Sequence, residues 1–134
     1  MPETMDGPRV VCWELPPDPA IVAKARAMVG ETLLSWDLPD LLDDVVLAVA
    51  ELLANAITHG RPPVRLSMEA AGGELRVQVT DHGAEWPRRL DLGVEAVHGR
   101  GLAIVQALAQ RMGVLPLADG PGKTVWAGWL LPPR

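Results

Sequence analysis

Apolar and polar positions along the first half of the chain predict one strand and two helices. The run 9–15, RVVCWEL, is typical of a half-buried β-strand, and apolar residues then recur with helical spacing over 19–36 and again from about 39 to 58. Asp18 before Pro19 is typical of a helix N-terminus, because the carboxylate accepts from free backbone N–H groups and the proline ring suits the first turn. The sequence therefore predicts a strand followed by two helices.

The second half of the chain predicts a hairpin, a third helix and two further strands. The predicted elements are strands near 63–70 and 74–80, an irregular stretch at 81–98, a helix at 101–112 ended by Gly113, and strands at 113–118 and 123–131. The element order predicts an α+β fold for residues 1–134, a two-layer sandwich in which helices pack on one face of a mixed, mostly antiparallel β-sheet. This pattern does not determine the order of the strands.

Composition and charge are those of a single domain with one apolar core. The chain has 134 residues, 49% of them hydrophobic, and it contains neither a long apolar run nor a signal-peptide layout, so we expect a cytoplasmic protein with no membrane partner. The net charge of −5 and the scattered basic residues disfavour direct nucleic-acid binding. Side chains expected in the core from their strand-like surroundings are those of Cys12, Trp13, Trp126 and Trp129.

The stretch ELLANAITHG carries polar side chains on an otherwise apolar predicted helix. At about 100° per residue, Asp44, Glu51, Asn55 and Thr58 fall in one narrow stripe. One interpretation is a solvated helix face. The other is a functional pair, because Asn is a poor choice for such a face, and a carboxylate one turn from a carboxamide combines a base with an oxygen ligand for a hard cation such as Mg²⁺.

Asp81 and Gly83, in VQVTDHG, end a predicted strand with an acid and a glycine. An acid at this position often only caps the strand or turns the chain. The same carboxylate would also accept a hydrogen bond from the exocyclic amine of adenine, with Gly83 letting a ring approach the backbone. Both interpretations stay open from the residues alone.

Gly99 and Gly101 flank Arg100 immediately before the apolar helix GLAIVQALA. Glycines at a helix start leave backbone N–H groups unshielded, and the helix dipole favours an anion such as phosphate there. A flexible turn with a solvated arginine is the alternative.

The segment GPGKT at 120–124 looks like the end of a P-loop. The first glycine of that motif would fall at position 117, which is Leu, and Lys123-Thr124 leads into a strand rather than a helix, so the P-loop interpretation fails. Thr124 either reaches a nucleotide from the strand start or is an ordinary strand residue.

Together, three of these segments resemble the Bergerat-fold (GHKL) ATP-binding domain shared by type II topoisomerases, sensor histidine kinases and anti-sigma-factor serine kinases. ELLANAITHG matches the N-box, DHG the first glycine box and GRGLAIV the second. Within that superfamily the chain is most similar to the small, stand-alone anti-sigma kinases of the actinobacterial type.

The resemblance implies a role for each matched residue. Asn55 would bind the Mg²⁺ that bridges the phosphates of ATP, and Glu51 would polarise the attacking hydroxyl or water. Asp81 would hold the adenine amine, Gly83 would make room for the ring, and Thr124 would support Asp81 through a water. The residues implied at the triphosphate are Gly99, Arg100, Gly101 and the adjoining Leu102.

The implied activity is that of an ATP- and Mg²⁺-dependent serine/threonine protein kinase. Members of the group phosphorylate a serine on an anti-sigma-factor antagonist of STAS-like fold, sequester a sigma factor by partner switching, and often form homodimers. A nucleotide-dependent sequestering module without phosphoryl transfer is the alternative, and a domain that has lost nucleotide binding is a third. The chain departs from the family pattern at Glu85, where a further glycine is common, and in a short lid at 84–98. A carboxylate at position 85 either weakens ATP binding or points to water, and both departures bear on ATP affinity and turnover rather than on the fold.

Overall fold

The computed structural model describes residues 7–84 and 100–132. Its elements are β1 (Arg9–Leu15), α1 (Ile21–Ser35), a 3₁₀ turn (Pro39–Leu41), α2 (Leu42–His59), β2 (Val64–Ala71), β3 (Glu74–Asp81), α3 (Arg100–Leu108), β4 (Arg111–Pro116) and β5 (Lys123–Leu130).

In the described part of the chain, five strands form one sheet in the order β1-β2-β3-β5-β4, and every pairing between them is antiparallel. The helices cover one face of this sheet, which confirms the predicted α+β fold and makes the sheet wholly antiparallel over these residues. None of the helices within the described ranges is long and apolar enough to cross a membrane.

The core lies between the helices and the inward face of the central strands. Alternation in β2, β3 and β5 buries every second side chain, as the two-residue period of a strand requires. Truncating one of the fully buried leucines, Leu53→Ala for example, would cost about 2–5 kcal/mol of stability. The fully buried core side chains include Val29 and Leu33 of α1, Val45, Val49 and Leu53 of α2, Val64, Leu66 and Met68 of β2, and Leu75 and Val77 of β3.

The β2–β3 hairpin turns at Gly72 and Gly73, whose φ angles of 61° and 79° lie in the left-handed region. A two-residue hairpin loop of type I′ needs positive φ at both central positions, and glycine adopts it without steric cost. This turn sets the register of the antiparallel hairpin. Ala71 pairs with Glu74, and β3 then runs along β2 until it ends at Asp81.

The third helix is shorter than predicted. It ends at Leu108 instead of continuing to 112, and β4 begins at Arg111 rather than at 113. Arg111 pairs with Gly128 of β5, and its guanidinium donates Nε–H and Nη2–H bonds of 3.0 Å each to the Glu74 carboxylate. These non-local bonds place Arg111 and Met112 in the sheet despite a helical sequence pattern.

The predictions that Cys12 and Trp126 lie in the core are wrong. Both point to the face of the sheet opposite the helices, where Cys12 is exposed and the Arg76 guanidinium stacks 3.9 Å from the Trp126 ring centroid. The alternation of each strand decides this, since Trp13 and Trp129 occupy the inward positions, with Trp129 only 3% exposed.

Candidate functional site

The ends of α2 and β3 meet the start of β5 at one edge of the fold. Gly60, the C-cap of α2, packs on the carboxylate of Asp81, and a Cβ at Gly60 would lie 2.3 Å from Asp81 Cγ. Asp81 is the last residue of β3 and lies opposite Lys123, the first residue of β5. The helix carrying Asn55 thus ends at the strand terminus that carries Asp81.

The third helix packs against α2 and ends near β5. Its last residue, Leu108, accepts a 3.0 Å hydrogen bond from Trp129 Nε1, near the end of β5 that is far from Lys123. The α2 helix, which carries Glu51 and Asn55, therefore contacts both β3 and α3, the elements of the other two motif segments.

Asn55 lies on the flank of α2 that faces away from α1. The α1 helix packs on the other flank, where a Cβ at Gly30 would lie 3.5 Å from Leu42 and 4.0 Å from Val46. Val46 and Asn55 are nine residues apart, which is roughly 180° around a helix of about 100° per residue. Asn55 therefore points away from α1.

The predicted polar stripe of α2 is not uniformly solvated. Asp44 and Thr58 are exposed, whereas Glu51 and Asn55 are each half-buried on the same side of the helix. The opposite side carries the buried core residues of α2, as predicted. Glu51 and Asn55 thus border a partly covered space.

Asp81 is buried, and both of its carboxylate oxygens accept hydrogen bonds. Lys123 Nζ donates hydrogen bonds of 3.0 Å to Oδ1 and 2.8 Å to Oδ2, and the backbone N–H of Gly83 donates a 2.8 Å bond to Oδ1. The exposed fractions of the side chains are 2% for Asp81 and 4% for Lys123. A paired ammonium offsets the cost of burying the carboxylate.

Sequence reasoning missed Lys123. The residue appeared only as part of a failed P-loop match, although alternation along β5 places it on the same face as Val125 and Ala127. A search for buried positions in this strand would have identified a charged residue at an inward position, which is rare unless the charge is paired.

Thr124 lies on the other face of the sheet from Asp81. Its Oγ1 is 2.7 Å from Oγ1 of Thr80, its cross-strand partner. The predicted support of Asp81 by Thr124 is therefore corrected: the direct contact comes from Lys123, because neighbouring residues of a strand point to opposite faces.

Gly83 packs against the chain between α2 and β2. A Cβ there would lie 2.9 Å from Gly60 Cα and 3.1 Å from Arg61 N, and the adjacent His82 N–H donates to Arg61 O at 2.8 Å. The glycine permits this close backbone approach. Its predicted role of making room for a ring stays a prediction.

The second glycine segment lies partly outside the described residues. Gly99 and Glu85 are outside them, as is the predicted lid, 84–98, from residue 85 onward. For Arg100 and Gly101 the structure describes their place in the first turn of α3. Leu102 is buried in the core at 2% exposure, so it would present only its backbone N–H to a ligand.

Residues 15–129 match the model of a histidine kinase-like ATPase domain. The chain belongs to this family. In this histidine kinase-like ATPase domain, the three matched motifs lie on α2, at the end of β3 and at the start of α3, and α2 contacts the other two elements.

Two known proteins illustrate the similarity of this histidine kinase-like ATPase domain. The chain is 42% identical to the sensor protein CseC of Streptomyces avermitilis over an alignment of 69 residues, which covers 44% of this chain and 13% of that protein. The fold resembles the histidine kinase domain of the blue-light activated histidine kinase EL346 from Erythrobacter litoralis, with a TM-score of 0.56 and 22% identity over 82% of this chain and 61% of that one. The chain spans less than two thirds of either protein.

Proposed function

We propose that the chain is an ATP- and Mg²⁺-dependent kinase that transfers the γ-phosphoryl group to a serine of an antagonist protein of STAS-like fold, and so regulates a sigma factor by partner switching. The observation that carries this proposal is that, in a histidine kinase-like ATPase domain, α2 contacts both β3 and α3, the elements of the other two motif segments. Phosphoryl transfer depends mainly on positioning and electrostatics, and these three segments would supply an oxygen ligand, a carboxylate and a helix N-terminus.

The side chains on α2 fit Mg²⁺ bound together with a nucleotide. Among the described residues, no group of three or more His, Cys, Asp or Glu side chains is placed to hold a metal by itself. Mg²⁺ usually keeps several waters and is held by one or two protein oxygens plus substrate phosphates, so a single half-buried amide oxygen of Asn55 suits it. When bound, the ion would neutralise charge on the phosphates.

Glu51 is the proposed general base. Its carboxylate lies one helical turn before Asn55 on the same half-buried side of α2, so both side chains face one space. A carboxylate there would accept the proton of the serine hydroxyl as the oxygen attacks phosphorus. The helical repeat alone therefore places Glu51 on the same side of α2 as Asn55.

The start of α3 is the proposed binding site for the phosphates of ATP, and Asp81 is the proposed contact to its adenine ring. The first N–H groups of a helix have no partner within the helix and favour an anion, which assigns the triphosphate to Arg100 and Gly101. Asp81 packs against Gly60, the residue that ends α2. In this proposal the phosphates and the adenine ring would bind at opposite ends of one site, with Asn55 beside the phosphates.

The deciding experiment incubates the purified chain with γ-³²P-ATP, Mg²⁺ and candidate STAS-like proteins, and then determines which amino acid carries the label. Acid-stable label on a partner serine, dependent on Mg²⁺, is the expected result. Acid-labile, alkali-stable label would indicate a histidine acceptor and refute the serine assignment. ATP-dependent capture of the partner without any label would instead identify a sequestering module without phosphoryl transfer.

A further inference from the structure

The buried pair of Lys123 and Asp81 has unused hydrogen-bonding capacity of both kinds. Lysine carries three N–H donors and a carboxylate oxygen has two lone pairs. In the described structure, Nζ uses two donors on Asp81, Oδ1 accepts from Lys123 and Gly83, and Oδ2 accepts from Lys123. One donor on Nζ and one lone pair on Oδ2 therefore have no partner among the described residues.

This combination of a donor and an acceptor matches the hydrogen-bonding edge of adenine and also that of a 6-oxopurine such as guanine or hypoxanthine. Adenine presents the N6 amine as a donor beside N1 as an acceptor, whereas guanine and hypoxanthine present O6 as an acceptor beside N1–H as a donor. A carboxylate without the lysine would accept from the adenine amine but would repel O6 of a 6-oxopurine. The ammonium of Lys123 supplies the missing donor for O6, while Oδ2 of Asp81 accepts from N1–H.

We infer that Lys123 is a base-contacting specificity residue that makes the site accept guanine and hypoxanthine nucleotides as well as adenine nucleotides. The inference rests on the proposed function, because it places the purine at Asp81. It goes further by adding a residue to the site and by naming a second class of nucleotide. Burial of both side chains makes these hydrogen bonds selective, since an unmet polar group in such a place is costly.

The first test uses the unmodified chain and needs no variant. Equilibrium binding of ATP, GTP and ITP is measured in the presence of Mg²⁺. We expect GTP and ITP to bind within about tenfold of ATP. If ATP binds more than about a hundredfold tighter than both, the inference about Lys123 is overturned while the proposed ATP binding stands. If no nucleotide binds to chain with a folded circular dichroism spectrum, both proposals fail.

The second test removes the donor at position 123. Lys123→Thr keeps a short hydroxyl donor for Asp81 and suits a strand, and we expect it to shift the ATP-to-GTP affinity ratio toward ATP by at least about tenfold. Lys24→Thr, which changes an exposed lysine of α1, is the matched control and should leave the ratio unchanged. An unchanged ratio in folded Lys123→Thr, or an equal shift in the control, would overturn the inference. If Lys123→Thr does not fold, the comparison of ATP, GTP and ITP decides alone.

Discussion

Lys123 Nζ lies 3.0 and 2.8 Å from the two carboxylate oxygens of Asp81, and this buried pair joins the last residue of β3 to the first residue of β5. The contact links two parts of the chain that are 42 residues apart. It lies where α2 ends at Gly60. The same two side chains therefore stabilise the fold and form the site at which we propose that the purine binds.

Lys123→Met should lower the free energy of unfolding by about 3–5 kcal/mol, because it leaves the Asp81 charge buried without its partner. Urea denaturation followed by circular dichroism measures the loss. The double variant Asp81→Leu with Lys123→Met should recover most of it, since apolar replacement of a buried ion pair is often close to neutral. A loss below about 1 kcal/mol in the single variant would show that water reaches the carboxylate.

Asn55→Ala should weaken the Mg²⁺-dependent binding of ATP by about ten- to a hundredfold, because it removes the neutral oxygen ligand from α2. Titration with ATP in Mg²⁺ and in EDTA measures the effect, and binding in EDTA should not change. Thr58→Ala, an exposed position of the same helix, is the control and should bind as the unmodified chain does. Equal Mg²⁺ dependence in both variants would refute the metal role of Asn55.

Glu51→Gln should keep ATP binding while phosphoryl transfer to the partner serine falls by about 10²–10⁴-fold, because the amide preserves the shape and removes the base. Single-turnover transfer from γ-³²P-ATP and a parallel ATP titration separate the two effects. Transfer at the rate of the unmodified chain would contradict the assignment of Glu51 as the base.

Gly60→Ala should destabilise the protein by about 1–3 kcal/mol, because the new Cβ would lie 2.3 Å from Asp81 Cγ and 2.6 Å from Ala56 O. Gly30→Ala is the matched control with the opposite sign. Its Cβ would lie 3.5 Å from Leu42, an ordinary contact, and alanine favours the α1 helix by about 0.8–1.0 kcal/mol. Thermal melts of the two variants should therefore shift in opposite directions, and parallel shifts would contradict the packing of Gly60 on Asp81.

Much of the fold could be predicted because its signals are local. The apolar face of α2 at Val45, Val49 and Leu53 repeats with helical spacing, and the Gly72-Gly73 turn has the chemistry of a two-residue hairpin. The C-terminal end of α3 could not be predicted, because the bonds of Arg111 to Glu74 lie between residues 37 positions apart and override the helical pattern.

The candidate site, like the fold, could be predicted from the sequence only in part. Sequence patterns identified Glu51, Asn55 and Asp81 as chemically notable and assigned them to a helix and a strand end, which is where they lie. The packing of Gly83 on Gly60 could not be predicted, because the path of the chain from α2 into β2 is not encoded in a short motif.

By itself, the sequence determined the element types, the apolar faces and the three polar motifs, because each depends on the spacing of nearby residues. Only the tertiary structure decided that Lys123 rather than Thr124 meets Asp81 and that Cys12 and Trp126 point away from the core. The physical reason is that a side chain's neighbours in a sheet depend on strand order, register and the face covered by helices, and these are fixed by contacts between distant parts of the chain.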